Sequence, residues 1–237
     1  MTRLLRLIAL AFSVPQAAAW GAIAHYAVAY VATNFVTSTT KSYLQTLLMD
    51  TSTDYLATVA SWADSYWSTS TGAFSAPFYY INALDNPPSS CSVSFSRDCG
   101  NSGCIVGAVS NYTTRLLTTL LSTADRQIAA KMLVHFLGDI GQPLYYENLD
   151  VGGNDINVTY SGSLTNLYSV WDTKILEHIS GGSTKAIAKT WAANLTAGKS
   201  PLPRSVFPTL TPLRIPCDGP PFPSRCNPCN RLVANSS

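Results

Sequence analysis

The chain has 237 residues, of which 46% are hydrophobic, 11% aromatic and 12% charged. Such a composition is typical of a folded protein with one core of ordinary size, and it excludes a disordered acidic or basic chain. The formal net charge of +2 is too small to indicate nucleic-acid binding through a basic surface alone. Any activity on nucleic acids must therefore be argued from a particular site.

The first 19 residues have the pattern of a secretory signal peptide. Two arginines precede an apolar stretch at 7–14, and three alanines follow at 17–19. A membrane anchor is the alternative, but the apolar stretch is much shorter than the ~20 residues that a spanning helix needs. We therefore predict a secreted, extracellular protein that does not bind membranes and whose mature chain begins at Trp20.

The cysteines agree with an oxidising compartment, where disulfides form. Cys99 and Cys104 enclose two glycines, which indicates a short disulfide loop. The other four allow three pairings that the sequence does not separate: Cys91, Cys217, Cys226 and Cys229. The last two could also form half of a zinc ribbon, but a second half is missing. Sequons for N-glycosylation begin at Asn111, Asn157, Asn194 and Asn235.

The apolar periodicity of residues 20–198 is mostly helical. Helices are predicted at 21–35, 39–49, 54–66, 107–122, 124–139, 163–179 and 184–197. Short strands are predicted at 78–82 and 154–160, where β-forming residues lie beside Pro and Gly. The predicted fold class is therefore all-α, a multi-helix bundle with a small β element.

The last 40 residues differ in composition from the rest, because they contain nine of the 14 prolines. Such a stretch cannot be a helix and has little apolar periodicity to bury. We expect it to be disordered or loosely attached. The predicted organisation is a signal peptide at 1–19, a helical domain at 20–198 and a proline-rich tail at 199–237.

His135 and Asp139 form the first candidate pair of metal ligands. They are four residues apart in the predicted helix 124–139, in the string HFLGD. This spacing places both side chains on one helical face, where they can bind the same ion. A buried His–Asp couple that is only hydrogen-bonded is the alternative.

Further candidate ligands lie elsewhere in the chain. Removal of the signal peptide would create an α-amine on Trp20, and a cation deprotonates such an amine easily because its pKa is ~8. His25 lies in the first turns of the first predicted helix. Asp64 and Asp172 lie near helix ends, where each alone is typical of a cap or a surface charge. Together these residues predict a site between helices of a bundle.

Eight strings along residues 20–198 carry a family resemblance. They are 20–25 (WGAIAH), 60–64 (ASWAD), 85–88 (DNPP), 98–104 (DCGNSGC), 135–139 (HFLGD), 142–144 (QPL), 151–154 (VGGN) and 171–172 (WD). In their order and spacing the chain resembles the secreted zinc-dependent single-strand-specific nucleases of fungi and plants, the S1/P1 type, which are related to bacterial zinc phospholipase C. The resemblance implies an α-helical fold and a three-zinc cluster that hydrolyses phosphodiester bonds of single-stranded DNA and RNA, and also 3′-nucleotides.

The resemblance also implies the ligands of the three zinc ions, position by position. The first set is Asp64, Tyr79, His135 and Asp139. The second set is the amine and carbonyl of Trp20 with His25 and Asp139, so that Asp139 bridges two ions. The third set is Tyr145, Tyr168 and Asp172. The catalytic carboxylates are Asp64 and Asp139.

Three of these positions depart from the family, which has histidine where this chain has Tyr79, Tyr145 and Tyr168. A phenol is uncommon on zinc because it must first lose a proton with a pKa near ~10. We therefore expect two or fewer zinc ions instead of three. An arginine that assists the transition state in the family is Trp67 here.

The resemblance implies substrate binding by Tyr80, Asn82, Val151 and Asn154. The family has an aspartate where this chain has Asn82, so base selectivity is expected to change, whereas a base can still stack on Tyr80. The family also continues with helical sequence in place of the tail. We therefore expect an incomplete C-terminal part with uncovered apolar helix faces. The unrelated tail, together with tyrosine at three positions where the family has histidine, suggests a decaying gene copy or an erroneous translation.

The sequence is compatible with three functions. The first is a secreted, monomeric zinc nuclease with a compromised cluster and reduced activity, acting on single-stranded DNA or RNA and nucleotides. The second is a catalytically inactive relative that binds metal or nucleotides as a glycoprotein. The third, an enzyme of the phospholipase type, is less favoured because the nuclease strings match more closely. Metal content separates the first two, since activity needs at least the bridged pair of ions.

Overall fold

The computed structural model describes residues 20–86 and 89–198. Most of these residues are helical, and the described part contains one sheet of two strands, which confirms the predicted all-α bundle with a small β element. The predicted signal peptide, the proline-rich tail and the cysteines at 217, 226 and 229 lie outside the described residues. The domain boundaries remain predictions.

The elements follow one another as short and medium-length helices, with the strands late in the chain. The helices are α1 (Ala22–Thr33), α2 (Ser38–Leu48), α3 (Tyr55–Val59), α4 (Trp62–Tyr66), α5 (Phe95–Asp98), α6 (Ile105–Leu117), α7 (Thr123–Asp139), α8 (Asp150–Gly153), α9 (Leu167–Ser169), α10 (Ile175–Ser180) and α11 (Lys185–Thr196). The strands are β1 (Asn157–Tyr160) and β2 (Ser163–Asn166). Two 3₁₀ helices, Ala73–Tyr79 and Pro143–Tyr146, and one π-helical turn, Val170–Lys174, complete the set.

Helix α7 lies at the centre of the bundle. It contacts α1, α2, α3, α4 and α6, and its Met132 and Phe136 side chains are fully buried. One hydrophobic core forms where α7 packs on α4, α6 and the first 3₁₀ helix, and a second forms among α1, α3 and α11. The ligand candidates on α7 are therefore held between two cores.

The prediction of one helix at 54–66 is wrong, because the structure has two shorter helices there, α3 and α4. At the break, the carbonyl of Ala60 accepts a hydrogen bond of 2.8 Å from Nδ1 of His135. The apolar periodicity runs through the break, so it does not reveal that a tertiary hydrogen bond here replaces a helical one.

The predicted strand 78–82 is also wrong, because its first part belongs to the 3₁₀ helix that ends at Tyr79. Beyond it the N–H groups of Ile81 and Ala83 donate to the backbone carbonyls of 145–146, at 2.9 and 3.1 Å. The partner segment is itself a 3₁₀ helix, so the two segments share an isolated bridge instead of a ladder.

The predicted strand 154–160 is present in shorter form as β1, and it pairs antiparallel with β2. The two residues between the strands, Ser161 and Gly162, have φ values of +48° and +78°, as tight hairpin turns require. The predicted helix 163–179 therefore begins only after β2. At its start the Asn166 side chain accepts a hydrogen bond of 2.7 Å from the N–H of Ser169.

The predicted disulfide between Cys99 and Cys104 is confirmed. It closes the loop between α5 and α6, and Gly103 in this loop has a φ of +93°. A Cβ atom at Gly103 would lie 2.8 Å from Cε1 of Phe78, so this position needs glycine. Within residues 20–86 and 89–198 no helix combines the length and apolar character of a membrane crossing.

Asp98 fixes the loop before α6 to its surroundings. Its carboxylate accepts hydrogen bonds from the Arg97 guanidinium and from the backbone N–H groups of Leu84 and Ser94. The hydrogen bonds from Arg97, and then those from the backbone, hold the pKa of Asp98 well below its usual range.

We expect Asp98→Asn to lower the melting temperature by a few degrees. A carboxylate with a depressed pKa stabilises the fold above its unfolded-state pKa of ~3.9, and this stabilisation is lost as the pH falls through the folded-state value. The difference in melting temperature from wild type should therefore stay constant down to about pH 4.5 and shrink below about pH 4. The exposed Asp155→Asn serves as the control, and a difference independent of pH contradicts the role of Asp98.

Candidate metal centre

Three helices bring four polar side chains together, which we call the His–Asp cluster. His25 lies on α1, Asp64 on α4, and His135 and Asp139 on α7. The two histidines and Asp139 are fully buried, whereas the Asp64 side chain is 27% exposed. The cluster is therefore enclosed by the bundle and reaches solvent at Asp64.

Within the His–Asp cluster the polar atoms converge on Asp139. Its Oδ1 lies 3.2 Å from Nε2 of His25, and its Oδ2 lies 3.3 Å from Nε2 of His135. The same Nε2 of His135 is 3.3 Å from Oδ1 of Asp64. The two imidazole rings stack with centroids 3.9 Å apart. One donor atom from each histidine and from Asp139 lies within 4.8 Å of the others, which is a separation that a shared cation can bridge.

The atoms of the His–Asp cluster fit a cation better than they fit one another. None of the atoms named above has a partner with hydrogen-bond geometry among the described residues. Buried polar groups are nearly always satisfied, so this many unsatisfied atoms in one place indicates a missing ligand. Imidazole nitrogens and carboxylate oxygens are the donors that zinc binds.

The orientation of His135 is set by its second ring nitrogen. Because a carbonyl can only accept, Nδ1 carries the proton that is donated to Ala60, and Nε2 is left to bind a metal. Histidine ligands of metal sites typically donate their other N–H to such a partner, which fixes the tautomer and the ring plane.

The charges within the His–Asp cluster depend on one another. Burial lowers the pKa of His25, and His135 lowers it further. Burial also acts to lower the pKa of His135, but the carboxylates of Asp139 and Asp64 outweigh it and raise that pKa to about 9. Burial raises the pKa of Asp139. A bound cation would displace any proton from Nε2 of His135, because a histidine must be deprotonated at the nitrogen that binds a metal.

Tyr79 lies beside the His–Asp cluster, but its hydroxyl is engaged elsewhere. The hydroxyl donates a hydrogen bond of 2.7 Å to the carbonyl of Ala63, and the ring contacts His135 edge-on with centroids 5.4 Å apart. Burial raises the pKa of Tyr79 far above its usual value, so the phenol is neutral. Tyr79 therefore packs against a candidate ligand and is not itself placed as one.

Tyr145 and Tyr168 pair with each other next to Asp172. Their buried hydroxyl oxygens are 2.5 Å apart. Burial raises the pKa of both tyrosines, and it raises the pKa of Asp172 to about 8. Two neutral phenols bonded to each other do not supply the donors that zinc requires. The two tyrosines are therefore not placed as ligands, and the metal-binding role of Asp172 remains a prediction.

The predicted N-terminal ligand lies near the same region. The N–H of Gly21 donates a hydrogen bond of 2.8 Å to the carbonyl of Asp172, which ties the start of α1 to the π-helical turn. Trp20 lines an apolar groove together with Gly138, which lies between the two cluster residues of α7. Trp20 and Asp172 thus border the His–Asp cluster, while their roles as ligands remain predictions.

The predicted substrate-binding residues fall on two segments. Tyr80 and Asn82 lie on the extended stretch after the first 3₁₀ helix, and the Tyr80 side chain is partly exposed. Val151 is 65% exposed and has a φ of +56°, and its carbonyl accepts a hydrogen bond of 2.8 Å from Asn154. A left-handed conformation is rare for a β-branched residue, and such strain is typical of binding sites.

Two residues that shape the centre were not among the predicted site residues. One is Ala60, whose backbone carbonyl binds His135, and no sequence signal distinguishes it. The other is Gly138, where an added Cβ would lie 2.7 Å from Nδ1 of His25. Glycine inside a helix costs about 1 kcal/mol relative to alanine, so Gly138 within the string HFLGD was a usable signal of close packing.

We expect Gly138→Ala to displace His25 and weaken zinc binding about 10–100-fold, as loss of supporting contacts does in metal sites. Helix content should be retained, because alanine favours helix. Competition titration against a zinc-binding dye measures the affinity. Gly107→Ala in α6 is the matched control, since its added Cβ would meet no atom closer than 3.7 Å. Equal zinc affinity in Gly138→Ala and wild type would contradict the proposed position of His25.

The sequence of this chain is similar to those of known nucleases over most of its length. A family model described as S1/P1 Nuclease matches residues 20–209. Nuclease S1 of Aspergillus oryzae is 48% identical over 197 residues, which are 83% of this chain and 68% of that protein. Nuclease P1 of Penicillium citrinum is 47% identical over 176 residues, which are 74% of this chain and 65% of that protein.

A plant nuclease is also similar to part of this chain, at lower identity. Endonuclease 3 of Arabidopsis thaliana is 34% identical over 166 residues, which are 67% of this chain and 55% of that protein. The matched stretches thus leave about a third or more of each relative uncovered. The buried His–Asp cluster lies within the matched residues, and the chain belongs to the S1/P1 nuclease family.

Proposed function

We propose that this protein is a secreted zinc-dependent nuclease that hydrolyses phosphodiester bonds in single-stranded DNA and RNA, and also 3′-nucleotides. The observation that carries the proposal is the His–Asp cluster, with its unsatisfied nitrogen and oxygen atoms around Asp139. Membership of a family whose named relatives are nucleases supports the reaction class.

Zinc would be held by the four residues of the His–Asp cluster, with the terminal amine and carbonyl of Trp20 once the predicted signal peptide is removed. Asp139 suits a bridging role, because one carboxylate oxygen faces His25 and the other faces His135. When bound, paired cations would lower the pKa of a water molecule and neutralise charge on the phosphate.

The protein's own residues orient this chemistry. Ala60 fixes the ring of His135, so that its Nε2 points at both carboxylates. Asp64 reaches solvent, with Oδ1 buried and the rest of its carboxylate partly accessible. Asp64 would therefore accept a proton from water at the mouth of the cluster, while the buried Asp139 would hold the cations.

We propose that the centre holds two zinc ions or fewer. Supporting this, Tyr79 hydrogen-bonds the backbone instead of entering the cluster, and Tyr145 and Tyr168 satisfy each other. The same observation favours a second candidate function, an inactive relative that binds metal or nucleotides as a glycoprotein.

Bases would stack on Tyr80, and the strained Val151 with Asn154 would line the substrate site. We further propose that the protein acts as a monomer outside the cell.

We expect protein beginning at Trp20 to bind two zinc ions and to cleave single-stranded DNA in a chelator-sensitive manner. Asp139→Asn should lose zinc and reduce cleavage by more than the ~10–100-fold that loss of an outer-shell partner costs. Metal analysis and a cleavage assay on the same sample measure both. The exposed Asp155→Asn is the control and should behave as wild type. If wild-type protein binds one zinc ion or none and does not cleave DNA, the proposed enzymatic function is contradicted and the binding function is supported.

A second test concerns the tyrosine pair. The double substitution Tyr145→His with Tyr168→His should raise the zinc content by one ion, because two imidazoles join Asp172 as good ligands. The matched control replaces both tyrosines by phenylalanine, which removes the hydrogen bond of 2.5 Å without adding a ligand. Unchanged zinc content in the histidine variant would show that these positions do not form a metal site.

A further inference from the structure

A cavity of about 620 Å³ lies between α6, the start of α7, the first 3₁₀ helix and the disulfide loop. Its lining includes none of the His–Asp cluster. Four aromatic rings form its apolar wall: Tyr66, Phe74, Phe78 and Tyr112. The volume is that of a small-molecule site, and aromatic rings in a concave surface are typical of a ligand-binding wall.

The cavity also has a polar edge, formed by Arg115. Its guanidinium lies over the ring of Tyr112 at 5.7 Å, and its Nη2 is 3.5 Å from Oδ1 of Asp125. Because the Arg115 side chain is 39% exposed, its accessible N–H groups can donate to an acceptor carried by an occupant of the cavity.

Asn111 on α6 belongs to the same lining and is exposed. It begins the sequon Asn111-Tyr112-Thr113. We propose that the cavity is the binding site for the N-glycan carried by Asn111. The sugars nearest the protein pack their C–H faces on Phe74 and Phe78, and an N-acetyl carbonyl accepts the N–H of Arg115.

The modification uses the ordinary co-reactant of N-glycosylation, a lipid-diphosphate-linked oligosaccharide. Nδ2 of Asn111 loses one proton and forms a bond to the anomeric carbon of the first N-acetylglucosamine. The bond from that carbon to the diphosphate oxygen breaks, and the lipid diphosphate leaves. No electron transfer is involved, so the step balances without an oxidant or a reductant.

The other sequons in the described part of the chain supply internal comparisons. Asn157 on β1 and Asn194 on α11 are both exposed, and neither lines this cavity. A glycan at either position lacks the aromatic wall and the Arg115 guanidinium. Burial of the innermost sugars is therefore specific to Asn111.

The test uses the full chain, purified from the secretory pathway of yeast and treated in its folded state with an endoglycosidase that cuts between the two core N-acetylglucosamines. Glycopeptide mass spectrometry follows each site. We expect the glycan at Asn111 to be released about tenfold more slowly than that at Asn194, because it must leave the cavity before cleavage. Denaturation should abolish the difference. An unmodified Asn111, or equal release rates in the folded protein, overturns the proposal.

Substitutions in the cavity distinguish binding of the Asn111 glycan from general shielding of that glycan by the protein surface. Phe74→Ala should speed release at Asn111 to within about threefold of Asn194, since the exposed ring can be removed without unfolding the core. Phe35→Ala is the matched control, an exposed phenylalanine that does not line the cavity. Arg115→Gln should speed release in the same direction. Full protection in both cavity variants would show that the sugar is not bound there.

Discussion

The candidate centre depends on one hydrogen bond, from Nδ1 of His135 to the carbonyl of Ala60. The acceptor, the Ala60 carbonyl, lies at the break between α3 and α4. As a separate helix, α4 places Asp64 within 3.3 Å of Nε2 of the same histidine. On the opposite side, the bare backbone at Gly138 lets His25 stack on His135. A single buried imidazole thus fixes the relative positions of α1, α4 and α7.

The two halves of the centre satisfy their polar atoms in different ways. The His–Asp cluster leaves nitrogen and oxygen atoms unsatisfied among the described residues, and a cation would satisfy them. The tyrosines at the departing positions are instead satisfied by the protein, since Tyr79 bonds to Ala63 and Tyr145 bonds to Tyr168. All three phenols thus take part in hydrogen bonds within the protein. This contrast supports a centre with fewer ions than the family resemblance implies, without loss of the fold.

The sequence predicted the helical class, the hairpin strand β1 and the Cys99–Cys104 disulfide, because periodicity, turn residues and close spacing act locally. It did not predict the break at Ala60 or the 3₁₀ helix ending at Tyr79, where tertiary hydrogen bonds replace local ones. The structure brings the predicted ligands on α1, α4 and α7 together. The pairing of Tyr145 with Tyr168 could not be predicted, since the family resemblance implies histidine at both positions but does not indicate what the tyrosines contact.

An apolar groove runs along α1, the end of α7 and α11, with Val28, Leu137 and Leu195 partly exposed. Helix α1 therefore lies between this groove and the His–Asp cluster, and its contact with α7 relies on the close approach at Gly138. Substitutions in this groove would act on metal binding through the position of His25, while His135, held by Ala60, would keep its place. Zinc affinity and global stability are thus expected to respond differently to changes on this face.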